Sequence, residues 1–176
     1  SAPQRGARVE LIVLHSDLGG SFDALAGFCA PRAARAPHYY VAADETEEAG
    51  EPDKYTKRVE GDLLLVLDDV AIVVECKAIA TNPQARAGDT RRLRRDLVGM
   101  IGHASKQASR TAERIRQDTG LRLDEHWLDL SQVREIHLVA VSLDDLAGVA
   151  TATSDLVDAG ILGGDDIPWT VSLHDL

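Results

Sequence analysis

The stretch that decides the fold runs from Glu60 to Ala78 and reads EGDLLLVLDDVAIVVECKA. Two apolar runs rich in β-branched residues flank Asp68 and Asp69, a pattern typical of a β-hairpin. Because strand side chains alternate, one face carries Leu63, Leu65, Leu67, Val70, Ile72 and Val74, and the other carries Leu64, Val66, Ala71 and Val73. Both faces are apolar, so the sequence predicts two buried central strands.

A two-residue turn at Asp68 and Asp69 sets the register of this hairpin. In that register Asp62 faces Glu75 directly, with Cβ atoms about 4.5–5.5 Å apart. Lys77 follows Glu75 by two positions and therefore points to the same side. Ionised groups at the end of an apolar hairpin are costly unless they are paired or bound to metal. The three residues are therefore a candidate site for Mg²⁺ or Mn²⁺, with an ammonium beside the cation.

Two other interpretations of the same residues stay open. A slip of one residue in the register would move Asp62 to the opposite face while leaving Glu75 and Lys77 together. In a purely structural role, Lys77 would only neutralise Glu75 or Glu60 at the exposed end of the strand.

The remaining pattern predicts a mixed α/β order around the hairpin. Asp89 and Thr90 are expected to cap a long helix that ends near Gly120, because its apolar residues recur every three and four positions. The other predicted elements are a strand over 8–15, a short helix over 19–29, a strand over 38–42, an acidic mobile loop over 43–54, a polar loop after the long helix, a strand over 133–143, a helix over 154–159 and a strand over 168–173.

Length and composition suit a single globular domain over residues 1–176. The chain has 44% hydrophobic and 27% charged residues, and it contains no apolar segment long enough to cross a membrane. Two cysteines and six histidines show no zinc-binding spacing, so a reducing cytoplasm is expected. The chain opens with Ser1 and has its only methionine at Met100. We therefore expect a domain excised from a longer protein, with fused domains or a homodimer as partners.

The net charge of −10 argues at first against a nucleic-acid partner, but the basic residues are unevenly distributed. Nine of the 19 basic residues lie between Arg86 and Arg116, against three acidic ones. Such a cluster either contacts phosphates or is a solvated helix face. The candidate nucleic-acid-binding residues are Arg91, Arg92, Arg94, Arg95, Lys106, Arg110 and Arg114.

An acidic residue, about a dozen residues crossing a hairpin, Glu-x-Lys and then a helix together resemble the PD-(D/E)xK nuclease superfamily. The resemblance implies a restriction-endonuclease-like core, with a central mixed β-sheet flanked by helices in the order α-β-β-β-α-β. It also implies metal ligands at Asp62, Glu75 and the main-chain carbonyl of Cys76, with Lys77 as the catalytic lysine. Gln107 on the following helix fits a further site position, or is an ordinary helix-surface residue.

The sequence departs from that family at two points. Gly61 stands where the family name has proline, and the acidic residue that many members carry on the first helix is not identified among Asp17, Asp23 and Glu10. The expected function is a metal-dependent nuclease that hydrolyses phosphodiester bonds, with DNA as the expected partner. The alternative is a noncatalytic nuclease-fold domain used for nucleic-acid binding or protein interaction within a larger protein.

Overall fold

The computed structural model describes residues 9–13, 33–35, 38–41, 55–123, 126–142, 152–164 and 166–172, the first two segments as backbone only. The helix predicted over 19–29 and the acidic loop predicted over 43–54 lie outside these residues. None of the helices in the described segments is long and apolar enough to cross a membrane.

In the described chain, six strands come first, followed by the helical segments up to Asp118, three more strands, a short helix and a last strand. The strands are β1 (Val9–Val13), β2 (Ala33–Arg35), β3 (Tyr39–Val41), β4 (Lys57–Val59), β5 (Leu63–Leu67), β6 (Val70–Lys77), β7 (Gly120–Arg122), β8 (Trp127–Asp129), β9 (Glu135–Ser142) and β10 (Trp169–Ser172). The helices are α1 (Pro83–Arg86), α2 (Thr90–Leu97), a π turn (Val98–Gly102), α3 (His103–Asp118) and α4 (Thr153–Asp158).

These strands form two sheets. The larger has the order β10-β9-β6-β5-β1-β2 and the smaller has the order β4-β3-β7-β8. β1 pairs with β2 and β9 with β10 in parallel, whereas β1 pairs with β5 antiparallel, so the larger sheet is mixed. All three pairings of the smaller sheet are antiparallel. The prediction of a mixed α/β protein is therefore confirmed.

The chain divides into two compact units, each built from two segments. The first comprises residues 1–73 and 112–136, and the second comprises residues 74–111 and 137–176. A single nuclease-like domain stays a prediction.

In the first unit, the segment after the long helix differs from the polar loop that was predicted. It forms β7 and β8, because Leu121, Leu123 and Leu130 are all at most 2% exposed and need a packed environment. Gly120 begins this pair of strands at a point where a larger residue does not fit. A Cβ there would lie 2.5 Å from the carbonyl oxygen of Leu128, so the close approach of β8 requires glycine.

The predicted long helix is confirmed from its first residue, and its residues up to Thr111 belong to the second unit. Asp89 caps it, and Asp89 Oδ1 accepts hydrogen bonds from the main-chain N–H groups of Arg91 and Arg92, each with an N···O distance of 3.0 Å. The π turn interrupts it, a feature that the apolar spacing did not predict. The helix packs in a cluster of buried residues formed by Leu97, Met100, Ile101, Leu156, Ile161 and Leu162.

Candidate active site

The hairpin that should hold the site has the predicted turn. β5 ends at Leu67 and β6, its neighbour in the sheet, begins at Val70, so Asp68 and Asp69 are the two turn residues. Asp68 has a φ of 53°, a left-handed conformation that aspartate adopts more readily than most residues. The carbonyl of Asp69 accepts hydrogen bonds from the main-chain N–H groups of Arg134 and Glu135, at 2.7 and 3.2 Å. This anchoring explains why the turn lies where the sequence placed it.

The two faces of the hairpin differ in burial more than the sequence predicted. The face expected to carry Glu75 is closed to solvent, since its residues Leu64, Val66, Ala71 and Val73 are 0–4% exposed. On the other face, Leu65, Leu67, Val70 and Ile72 near the turn are only partly buried, whereas Leu63 and Val74 at the far end are buried. By strand alternation Glu75 and Lys77 continue the row of Ala71 and Val73, so the charged pair follows directly on the most buried face.

Glu75 is one of the most buried charged residues of the described chain. Only 1% of its side chain is exposed, whereas 22% of the Lys77 side chain reaches solvent two residues further along the strand. Lys77 Nζ lies 3.9 Å from Glu75 Oε2, a distance typical of an ion pair and too long for a hydrogen bond. Burying the Glu75 carboxylate this deeply, with the Lys77 ammonium nearer the surface, lowers the stability of the fold, so stability alone does not account for the arrangement. Such an arrangement is common at sites of chemistry.

Asp62, the second predicted carboxylate, lies immediately before β5 and is 9% exposed. It is therefore buried, which is uncommon for an aspartate that has no structural or chemical role. Asp62 belongs to the first unit and Glu75 to the second, and the direct opposition of their side chains stays a prediction.

Two further predicted site residues lie on β6 and on α3. Cys76 is partly buried between Glu75 and Lys77, and only its main-chain carbonyl was expected to act. Gln107 lies on α3 and is partly buried. Its main-chain carbonyl accepts a hydrogen bond from Thr111 Oγ1 at 3.2 Å, which is ordinary helix geometry. The role of the Gln107 side chain stays a prediction.

The predicted ligand set suits a hard divalent cation in its chemistry. Two carboxylates and a main-chain carbonyl are all oxygen donors, which Mg²⁺ and Mn²⁺ prefer. Across the described segments, no group of three or more His, Cys, Asp and Glu side chains is placed to hold a metal ion. The predicted set has only two such side chains, so water or substrate oxygens would complete the coordination, as is usual for Mg²⁺.

The basic helix presents most of its predicted phosphate contacts to solvent. Arg91, Arg94 and Arg95 are exposed on α2, and their spacing of three and four residues places them on one helix face. Lys106 and Arg110 are likewise exposed and four residues apart on α3. Arg92 is partly buried. These positions leave the cationic groups accessible to a polyanion.

Arg114 differs from the other basic residues, because it lies in a buried cluster that the sequence reasoning missed. Its Nη1 is 3.3 Å from Asp118 Oδ2, with 16% and 1% of the two side chains exposed. Burial, together with the negative charge of Asp118 and a hydrogen bond to it, raises the pKa of Tyr55 above its usual 10.0. The spacing of Arg114 and Asp118 by four residues was the available signal. Arg114 is therefore engaged within the first unit.

Comparison with known proteins identifies no relative of the chain. No protein-family model, curated protein or solved structure matches the chain. The resemblance to PD-(D/E)xK nucleases rests on the motif from Asp62 to Lys77 and on its setting in a hairpin.

Proposed function

We propose that the protein is a metal-dependent nuclease that hydrolyses DNA phosphodiester bonds, with a restriction-endonuclease-like core. The observation that carries the proposal is the placement of Glu75 and Lys77. A carboxylate with 1% exposure follows the most buried face of the hairpin, and an ammonium 3.9 Å away lies at the strand end where solvent begins. A buried acid beside a cation at the border of solvent is an arrangement that supports metal-assisted hydrolysis of a phosphodiester.

Each residue has a separate task in this proposal. Asp62, Glu75 and the carbonyl of Cys76 would hold Mg²⁺ or Mn²⁺, which when bound lowers the pKa of water and offsets charge on the phosphate. Lys77 donates hydrogen bonds that orient the attacking water, because its ammonium has three rotatable donors. The apolar residues before Glu75 keep bulk water from the inner side of the site. The exposed arginines of α2 hold the DNA backbone without reading its sequence.

Cleavage of a set of DNA substrates tests this function. Linear duplex, supercoiled circular, single-stranded and branched DNA are incubated with the protein and Mg²⁺, Mn²⁺ or EDTA. We expect cuts in at least one substrate with either cation and none in EDTA. The Glu75→Gln variant, which keeps the size of the side chain and removes its charge, should be inactive with both cations. DNA binding without cleavage of any substrate would instead support the noncatalytic nuclease-fold alternative.

A further inference from the structure

The smaller sheet carries a row of basic and aromatic side chains on its partly exposed face. In the antiparallel register, Arg58 of β4 is opposite Tyr40 of β3, Tyr40 is opposite Arg122 of β7, and Arg122 is opposite Trp127 of β8. Directly opposed residues of antiparallel strands share a face. Arg58, Tyr40, Arg122 and Trp127 therefore form one line across all four strands, which we call the sheet row.

The two faces of this sheet have different characters. Most neighbours of the row on β3, β4 and β7 point to the other face and are buried: Tyr39, Val41, Val59 and Leu121 are 0–6% exposed. Lys57 at the start of β4 is exposed, and Leu128 of β8 is partly buried. The members of the row are more accessible, with 54% of the Arg58 side chain exposed and the other three partly exposed. The row thus lies on the outer face of a sheet whose inner face is a packed core.

Both aromatic members of the row are held in position by buried neighbours. The ring of His38 meets that of Tyr40 edge-on, with centroids 5.0 Å apart, and its Nε2 is 2.8 Å from the Tyr40 hydroxyl. The ring of Tyr55 meets that of Trp127 at 62°, with centroids 6.2 Å apart. Trp127 also lies closely over Gly120, where a Cβ would come within 2.6 Å of the indole. Rings fixed in advance lose little freedom when a flat ligand stacks on them.

We infer that the sheet row is a binding surface for single-stranded DNA. Unpaired bases stack on aromatic rings whatever their sequence, and guanidinium groups between the rings attract phosphates. Neighbouring strands are about 4.8 Å apart, so the four positions span roughly 14 Å and alternate cation with ring. Stacked base pairs would not present their flat faces to this row, whereas a single strand does. The choice of DNA rests on the proposed function; the row itself makes no use of Glu75 or Lys77.

The ion pair between Arg58 and Glu60 does not oppose this role. Arg58 Nη2 lies 3.7 Å from Glu60 Oε1, and both side chains are more than half exposed. Exposed pairs of this kind contribute little and exchange readily with solvent. A phosphate can therefore replace Glu60 as the partner of Arg58 at small cost.

Binding is measured by fluorescence anisotropy in EDTA, so that cleavage plays no part. The probe is a labelled oligothymidylate of about 15 nucleotides, with duplex DNA and oligouridylate of the same length as comparisons. Replacing Tyr40 or Trp127 by leucine should weaken binding of oligothymidylate about 5- to 150-fold, the loss typical of one stacked base. Arg58→Gln should lower the slope of log affinity against log salt by about 0.7. Lys57→Gln removes the same charge from the opposite face of β4 and should leave the affinity unchanged.

A second readout leaves every residue of the sheet row unchanged. The chain has two tryptophans, and in Trp169→Phe the remaining indole signal comes from Trp127. Oligothymidylate should quench this fluorescence to saturation with the same midpoint as the anisotropy. The inference is overturned by unchanged Trp127 fluorescence at saturation, by equal effects of Lys57→Gln and Arg58→Gln, or by tighter binding of duplex DNA or oligouridylate. None of these outcomes bears on cleavage, so failure of the sheet row and failure of the nuclease are distinguishable.

Discussion

Replacing Lys77 by methionine separates the stability of the charged pair from its chemistry. Methionine keeps most of the aliphatic stem of the lysine side chain and removes only the ammonium. The buried Glu75 carboxylate then loses a cation 3.9 Å away. We therefore expect two measurable effects, one on folding and one on cleavage.

The size of the folding effect follows from the distance and the burial. Two unit charges 3.9 Å apart interact with about 4 kcal/mol at an effective dielectric constant near 20, and with about 1 kcal/mol in bulk water. Lys77 has 22% of its side chain in contact with solvent, so Lys77→Met should destabilise the protein by about 1–4 kcal/mol. The double variant with Glu75→Gln removes both charges and should recover part of that loss, giving a coupling energy of similar size.

The effect on cleavage should be larger than the folding loss can explain. Removing one donor that stabilises or orients the reacting groups typically lowers kcat 10²- to 10³-fold. Lys77→Arg keeps the positive charge and should restore stability, yet it should cut poorly because a planar guanidinium does not replace a compact ammonium. Lys57→Met, at an exposed lysine of β4, is the matched control.

Urea unfolding and single-turnover cleavage are measured on the same protein preparations. A Lys77→Met protein that is folded and cuts within about tenfold of the wild-type rate would refute the catalytic role. A Lys77→Arg protein with full activity would show that Lys77 acts only as a counter-charge for Glu75.

Four further predictions concern other parts of the chain. Mn²⁺ should raise the melting temperature of the wild type by mass action, and Asp62→Asn, which removes a predicted ligand, should show little shift in calorimetry. Lys106→Gln should lower the salt dependence of duplex DNA binding by about 0.9 in the log–log slope if this exposed residue contacts a phosphate; an unchanged slope would exclude it. Asp118→Asn should cost about 3 kcal/mol in urea unfolding, because it leaves Arg114 without the carboxylate 3.3 Å away. Burial and Asp118 raise the pKa of Tyr55 above 10.0. The stability that the neutral hydroxyl of Tyr55 contributes should therefore be present below about pH 10 and be lost as the pH rises above it. Tyr55→Phe should make the loss of stability with rising pH less steep in this range.

The elements that could be predicted are those whose signals are local. The hairpin was recognised because two apolar runs flank a two-residue turn, and the turn at Asp68 and Asp69 is confirmed. The long helix was recognised because Asp89 caps it and apolar residues repeat along it, and it does begin at Thr90. In both cases a short window of sequence contains the cap or turn and the buried face together.

The smaller sheet could not be predicted in the same way, because its strands are three residues each and pair over long distances in sequence. β4 reads Lys-Arg-Val with two exposed side chains, which is also what a loop would show. Tyr40 and Arg122 become neighbours only through pairing of segments about 80 residues apart in sequence. The sheet row is a product of that pairing, so no motif could have indicated it. The burial of Glu75, in contrast, followed from the apolar residues before it.

The most direct test of the nuclease proposal is the single-turnover cleavage rate of Glu75→Gln with Mg²⁺, compared with Glu113→Gln. Glu75 is buried with 1% of its side chain exposed, whereas Glu113 lies exposed on α3, so the two variants make the same chemical change in opposite settings. We predict that Glu113→Gln cuts the best substrate at the wild-type rate and that Glu75→Gln, folded by circular dichroism, cuts at least 10²-fold more slowly. Equal cleavage rates for a folded Glu75→Gln protein and the wild type would contradict the proposal.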